Sequence, residues 1–152
     1  MEEWDLAPDG RKRYCVGYVL SPDLSDVVLI RKNRPEWQKG LLNGVGGRLQ
    51  DGEDSLHGMA RECREEAGLD IAIWRRLARL EFPLAVVWFF WTIDPHYRLA
   101  RTMTDEKIEI VDVARVMSMT DGTVPNSAWL IQMAISHVRG ERAEWFIVRE
   151  VY

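Results

Sequence analysis

The stretch GGRLQDGEDSLHGMARECREEAGL, Gly46 to Leu69, constrains the chain most, because it places two demands on one helix. Asp54 or Ser55 suits the position that caps a helix start, and Gly68 suits the left-handed position just past its end. Between them Leu56, Met59, Ala60, Cys63 and Ala67 recur at i, i+3, i+4, i+7 and i+11. At about 100° per residue they make a stripe roughly 100° wide, which reads as the core face. Measured from Leu56, the residues Glu66, Glu62 and Glu65 fall at roughly −80°, −120° and 180°, a second arc of similar width. Three carboxylates therefore gather on one flank of a helix whose other side is anchored. Like charges at such spacings repel by about a few tenths of a kcal/mol per pair. Either solvent absorbs that repulsion, or a cation belongs there.

The rest of the chain supplies a sheet for this helix to rest on. YCVGYVL and VVLIRK read as two strands joined by a turn at SPDLSD, where Pro22 and Asp23 set the bend. PEWQKGLLNGVGGR reads as a loop, with Asn43-Gly44 its strongest turn signal. Further strands are expected near Ile71–Phe82, across Ala85–Ile93 and over Ile108–Val113. A helix follows at about Ser127–Val138, and EWFIVREV closes the chain as a strand. Mixed strands with two helices predict a layered α/β arrangement, and 152 residues without repeat or linker predict one domain, 1–152.

Charge and composition narrow the chemistry. A net charge of −4 gives no sequence-independent grip on polymeric nucleic acid. RKNR, Arg31 to Arg34, is a basic exception, either a solvated strand end or a local phosphate contact. The apolar run FPLAVVWFFWTI is too short to span a bilayer and contains Pro83, so no membrane association is expected. The start, MEEWDLAPDGRKRY, lacks the apolar core of a signal peptide. Cys15 and Cys63 read as free thiols in a reducing compartment, which places the protein in the cytoplasm. His57, His96 and His137 show no metal-ligand pattern, and no serine or cysteine triad can be argued.

The acids remain. Mg²⁺ prefers carboxylate and carbonyl oxygens and keeps several waters, which is the chemistry the glutamate flank offers. Gly46 and Gly47 add backbone amides and carbonyls unshielded by side chains, so a polyphosphate can approach closely. Arg61, beside Glu65, can fix one carboxylate by a charge-assisted hydrogen bond. On helix geometry alone, a solvated acidic face with Arg–Glu support explains these residues equally well.

Spacing separates the two readings. Gly47, five residues, Glu53, seven residues, then Arg61-Glu62-Cys63-Arg64-Glu65-Glu66-Ala67-Gly68-Leu69 resembles the complete signature of the Nudix hydrolases. Cys63 and Leu69 occupy its two apolar slots. The resemblance implies an α/β/α sandwich with a mixed central sheet, hydrolysing a nucleoside diphosphate linked to another moiety with Mg²⁺, for which Mn²⁺ substitutes. It implies Glu62, Glu65, Glu66 and the Gly46 carbonyl as metal ligands, with Arg61 orienting carboxylates. Glu53 would buttress the loop–helix junction or reach the metal shell through water, with Gly47 in support.

The same resemblance points outside the helix. Glu106, in TMTDEKIEI, resembles the additional acid of MutT-like members, a metal ligand or the general base, with Asp105 beside it. Arg31 and Arg34 stand where relatives place phosphate-binding cations; Lys39 and Arg48 are weaker candidates. LLNGVGG resembles the loop of the oxidised-purine nucleoside triphosphatases, with Asn43 at the base-reading asparagine, and Asn126 starts the last helix, where MutT-like enzymes read the base edge. An amide carries both donor and acceptor, so the pair can discriminate a purine edge. Asn43-Gly44 is equally a turn dipeptide, and Asn126 equally an N-cap. Trp37, Trp88, Trp91 and Trp129 offer a stacking surface, although most of the seven tryptophans are expected in the core. The implied activity is hydrolysis of a nucleoside triphosphate, with an oxidised purine such as 8-oxo-dGTP among the candidates, to monophosphate and pyrophosphate. ADP-ribose, a dinucleoside polyphosphate and a canonical deoxynucleotide are the alternative substrates, and a non-catalytic nucleotide-binding module is the alternative class. Monomer and homodimer both remain open.

Overall fold

Consecutive apolar residues buried on both faces, Tyr18 to Leu20 and Val27 to Ile30, create the first two strands, and their divergence makes room for the candidate site. In the computed structural model, which describes residues 2–6, 10–119, 121–141 and 145–149, β1 (Lys12–Leu20) pairs with β2 (Asp26–Arg31) at Val19–Val28 and Leu20–Val27. Their turn is pinned by Asp23, whose carboxylate accepts from the Ser21 and Ser25 hydroxyls at 2.7 Å each. Beyond it the strands part, and the glycine-rich segment fills the wedge. There β3 (Leu42–Asn43) pairs with β2, and β4 (Val45–Arg48) pairs with β1. Asn43-Gly44 is therefore no hairpin turn: Gly44 is the step at which the chain crosses from one strand to the other. The supposed loop is part of the sheet.

Four further strands, β5 (Arg75–Glu81), β6 (Ala85–Ile93), β7 (Lys107–Asp112) and β8 (Phe146–Arg149), complete a mixed sheet. Its order is β3-β2-β1-β6-β5-β8, with β7 paired to β2; β1–β6 and β5–β8 are parallel and the other pairs antiparallel. The strand expected near Ile71 begins at Arg75, because Ile71 to Trp74 is a connector whose Trp74 indole donates to the Ile71 carbonyl at 3.1 Å. β8 lies within EWFIVREV, of which Glu144, Glu150 and Val151 fall outside the described residues.

Helix α1 (Ser55–Ala67) covers one face of the sheet; α2 (Val113–Ser118) and α3 (Ser127–Val138) cover the other. Period-two alternation divides the strands between two cores. Val19, Val28 and Ile30 meet Met59 and Cys63 of α1, while Leu20, Val27 and Leu29 meet Leu130 and Ile131 of α3. This is the expected α/β/α sandwich. The sequence reading did not include α2, six residues capped by Asp112, which accepts from the Ala114 amide at 2.8 Å. Asp54 caps α1 through the Leu56 and His57 amides, and Gly68 ends it at φ 67°.

Two expectations fail locally. Leu56 is 41% exposed whereas Glu66 is buried, so the core stripe of α1 is rotated toward the acids. Small residues explain the rotation, because Ser55 and Gly58 let that side close on Trp4 and Leu49. Asn126 has helical backbone angles and makes no side-chain cap bond, so the N-cap reading is corrected. No helix among the described residues is long and apolar enough to cross a membrane.

Candidate active site

Strand alternation decides which side chains meet α1. Val28 and Ile30 face it, so Lys32 follows on that side and Arg31 on the other. The contacts agree. Arg31 is held by the Glu109 carboxylate, with Nη2 donating to Oε1 at 2.9 Å, and by the Gly40 carbonyl at 2.8 Å. Its donors are engaged away from the acids of α1. Lys32 Nζ instead lies 3.0 Å from Glu106 Oε1, both side chains largely buried. Lys32 was missed among three neighbouring cations in sequence, although the alternation of β2 would have singled it out. Arg34 is mostly exposed, pairing with Asp105 at 2.5 Å and standing 3.9 Å from Glu106.

The wedge carries its glycines beneath α1. A Cβ on Gly46 would lie 2.0 Å from the Cys15 carbonyl oxygen, and one on Gly47 would lie 2.7 Å from Glu62 Oε2. Only glycines allow this approach. The Gly46 amide donates to Glu66 Oε1 at 3.0 Å, whereas Glu66 Oε2 is buried with no hydrogen-bond partner among the described residues.

Arg61 organises the remaining acids. Its Nε and Nη2 donate to the two Glu53 oxygens at 2.7 and 2.9 Å, and its Nη1 donates to Glu62 at 2.8 Å and Glu65 at 3.0 Å. Glu53 also accepts from the Gln50 amide at 3.0 Å, tying the loop to the helix. The Arg61 guanidinium holds the Glu53 carboxyl down at about 2. Burial drives Glu66 the other way, to about 8, helped by the Glu62 and Glu106 charges and opposed by Lys32 and the Gly46 amide. Burial also raises Glu62, against the pull of Arg61. Burial would raise Glu106 too, but the Asn33 amide, Lys32 and the Arg34 amide together lower it.

Among the described residues, no three His, Cys, Asp or Glu side chains already converge as a ligand set. Glu62 and Glu65 are turned to Arg61, and Glu106 to Lys32. The donor chemistry nevertheless fits a hard divalent cation: carboxylate oxygens, one of them buried without a partner, beside bare glycine backbone. A cavity of about 500 Å³ lies elsewhere, lined by Asp5, Arg13, Glu53, Asp54 and Trp88 near the start of α1. It holds neither Glu62 nor Glu66, and the candidate site is located by its donors instead.

The nucleoside candidates also come together. Asn43 Oδ1 accepts from the Gly44 amide at 2.8 Å and lies 3.4 Å from Ser127 Oγ, next to Asn126. Backbone bonds between Leu42 and the Gly122–Val124 segment, at 2.8 and 3.0 Å, hold the start of α3 against β3. Trp88 is core, Trp37 and Trp129 are exposed, and Trp91 is partly buried.

A model of the NUDIX domain matches residues 11–132, most of the chain. The chain belongs to the Nudix family. It is a Nudix pyrophosphohydrolase by that membership, and Nudix enzymes generally act with divalent metal ions. Solved structures share the fold. A MutT protein from work on Aliivibrio salmonicida and Vibrio cholerae is 19% identical at a TM-score of 0.65, covering 83% of this chain and 98% of its own. The Nudix domain of Shewanella oneidensis NrtR, complexed with ADP ribose, is 13% identical at 0.72, with 86% and 90% covered. The MutT protein of Bacillus halodurans is 15% identical at 0.64, with 92% and 90% covered.

Proposed function

We propose that this Nudix enzyme is MutT-like, hydrolysing a nucleoside triphosphate to the monophosphate and pyrophosphate, with an oxidised purine such as 8-oxo-dGTP as preferred substrate. One observation carries the reading. Asn43, packed against the start of α3, and Gly46, bonded to Glu66, lie three residues apart on one extended segment. A base at Asn43 and Asn126 would thus place its phosphates along the glycines toward the acids. That intact acid set also argues for turnover over a mere binding module.

Glu62, Glu65, Glu66 and Glu106, with the Gly46 carbonyl, would hold Mg²⁺ or Mn²⁺. Such ions, when bound, neutralise phosphate oxygens and lower the pKa of the attacking water. Arg61 keeps Glu62 and Glu65 oriented, and Glu53 keeps Arg61 in place. Glu106, stabilised as a carboxylate by Asn33 and Lys32, suits a ligand better than a proton acceptor. Arg34 is the exposed cation beside it and the better placed of the two arginines to meet a phosphate.

ADP-ribose is the second substrate to test, favoured by the likeness to the Nudix domain bound to ADP ribose. The deciding experiment compares kcat/KM for 8-oxo-dGTP, dGTP, dATP, dCTP and ADP-ribose in wild type and in Asn126→Ala. Leaving a base edge unpaired costs about 1–3 kcal/mol, roughly tenfold to a hundredfold, so preference should collapse while the melting temperature holds. Unaltered ranking in the variant would remove Asn126 from base recognition.

A further inference from the structure

Lys32 is built into the acid cluster rather than into solvent. Its ammonium lies 3.0 Å from Glu106 Oε1 with the side chain 14% exposed, and its charge is the strongest influence favouring the ionised form of Glu66. The other cations nearby are committed. Arg61 is bound to Glu53, Glu62 and Glu65, Arg31 is held by Glu109, and Arg34 pairs with Asp105 at the surface, mostly exposed and 3.9 Å from Glu106. Glu106 is further clasped by the Asn33 amide at 2.6 Å, so it is positioned by the same segment that carries Lys32. Glu66 keeps one buried oxygen without a hydrogen-bond partner among the described residues, and the Lys32 charge acts on that carboxyl through space.

We infer that Lys32 is the resident counter-cation of the acid cluster, occupying the electrostatic place of a divalent ion and competing with it. This rests on the reading that these glutamates bind such an ion. An ammonium and a divalent cation sharing the same carboxylates repel each other, so joint occupancy is disfavoured and Lys32 must yield Glu106 as the ion enters. Two consequences follow for the protein without nucleotide. Removing the charge strips Glu66 and Glu106 of compensation and lowers the stability of the metal-free protein. It also leaves a more negative site, which takes a divalent ion more tightly.

The test is calorimetric titration of the full chain with Mn²⁺, without nucleotide, alongside thermal melts in chelator. Lys32→Met should bind Mn²⁺ about tenfold or more tightly than wild type and melt lower in chelator. Lys32→Arg, which keeps the charge, should resemble wild type in both. Lys32→Gln gives the same comparison should the methionine variant not fold. Mn²⁺ binding in the neutral variants no tighter than in wild type would overturn the counter-cation role alone. A wild type that binds no Mn²⁺ would overturn the metal reading beneath it.

Discussion

Glu66 is held in conflict: buried and pushed up to about 8, yet bonded by the Gly46 amide in the manner of a carboxylate. For an acid whose folded pKa stands above its ordinary 4.5, the folded state holds a proton that the unfolded chain releases. The associated stability is full below about 4.5 and is lost as pH rises through about 8. The melting temperature in chelator should therefore fall from pH 5.5 to pH 8.5, by about as much as a few kcal/mol of stability implies. Glu66→Gln should flatten that slope, and saturating Mg²⁺ should oppose it, because the ion replaces the proton. A slope unchanged in Glu66→Gln would show that another group titrates. Turnover separates the acids further. Glu65→Gln and Glu66→Gln should each lower kcat by orders of magnitude with folding intact, measured by nucleotide hydrolysis beside a melt. Glu106→Gln should depress turnover and metal affinity, whereas Asp105→Asn, at the surface with Arg34, should do little. Equal behaviour of those two would unseat Glu106.

The element proposed to carry function is the wedge of β3 and β4 under α1, and its glycines are its most tightly packed points. Gly47→Ala would drive a methyl group to within 2.7 Å of Glu62 Oε2. Either Glu62 or the β4 backbone must move, so metal affinity and turnover should drop at least about tenfold, read by Mn²⁺ titration and steady-state kinetics. A wild-type-like variant would mean that Glu62 needs no fixed place. Much of this element was legible in advance: the Asp54 cap, the Gly68 stop and the acid spacing are local signals, complete within one helix. What failed depended on partners distant in sequence. Asn43-Gly44 carries turn chemistry, yet the parting of β1 and β2 recruits it into the sheet. Leu56 fits the apolar period, but the small residues Ser55 and Gly58 rotate the helix away from it. Arg31, Lys32 and Arg34 look interchangeable in a basic run, and only the alternation of β2 and the position of Glu109 distinguish them. The short α2 has too few residues to show a period.

At the scale of the molecule, the ends of the chain brace the sheet that carries the site. Trp4 lies outside the matched span 11–132, yet it is 1% exposed and packs edge-on against Phe90 and Trp145 with ring centroids at 5.4 and 5.0 Å. Its indole reaches Ser55, the first residue of α1, at 3.3 Å, and the buried Arg79 donates to the carbonyls of Glu3, Trp4 and Leu6. Trp4→Ala should cost about 3–5 kcal/mol in denaturant unfolding. A loss under about 1 kcal/mol would mean that the brace is dispensable. We propose that the acid flank of α1 drives attack of water on a nucleoside triphosphate to release pyrophosphate. Resolving the products formed from 8-oxo-dGTP with Mg²⁺, by wild type and by Glu66→Gln, tests it most directly. Wild type should form equal amounts of nucleoside monophosphate and pyrophosphate, and the variant almost none; nucleoside diphosphate with orthophosphate, or undiminished turnover by Glu66→Gln, would contradict that chemistry.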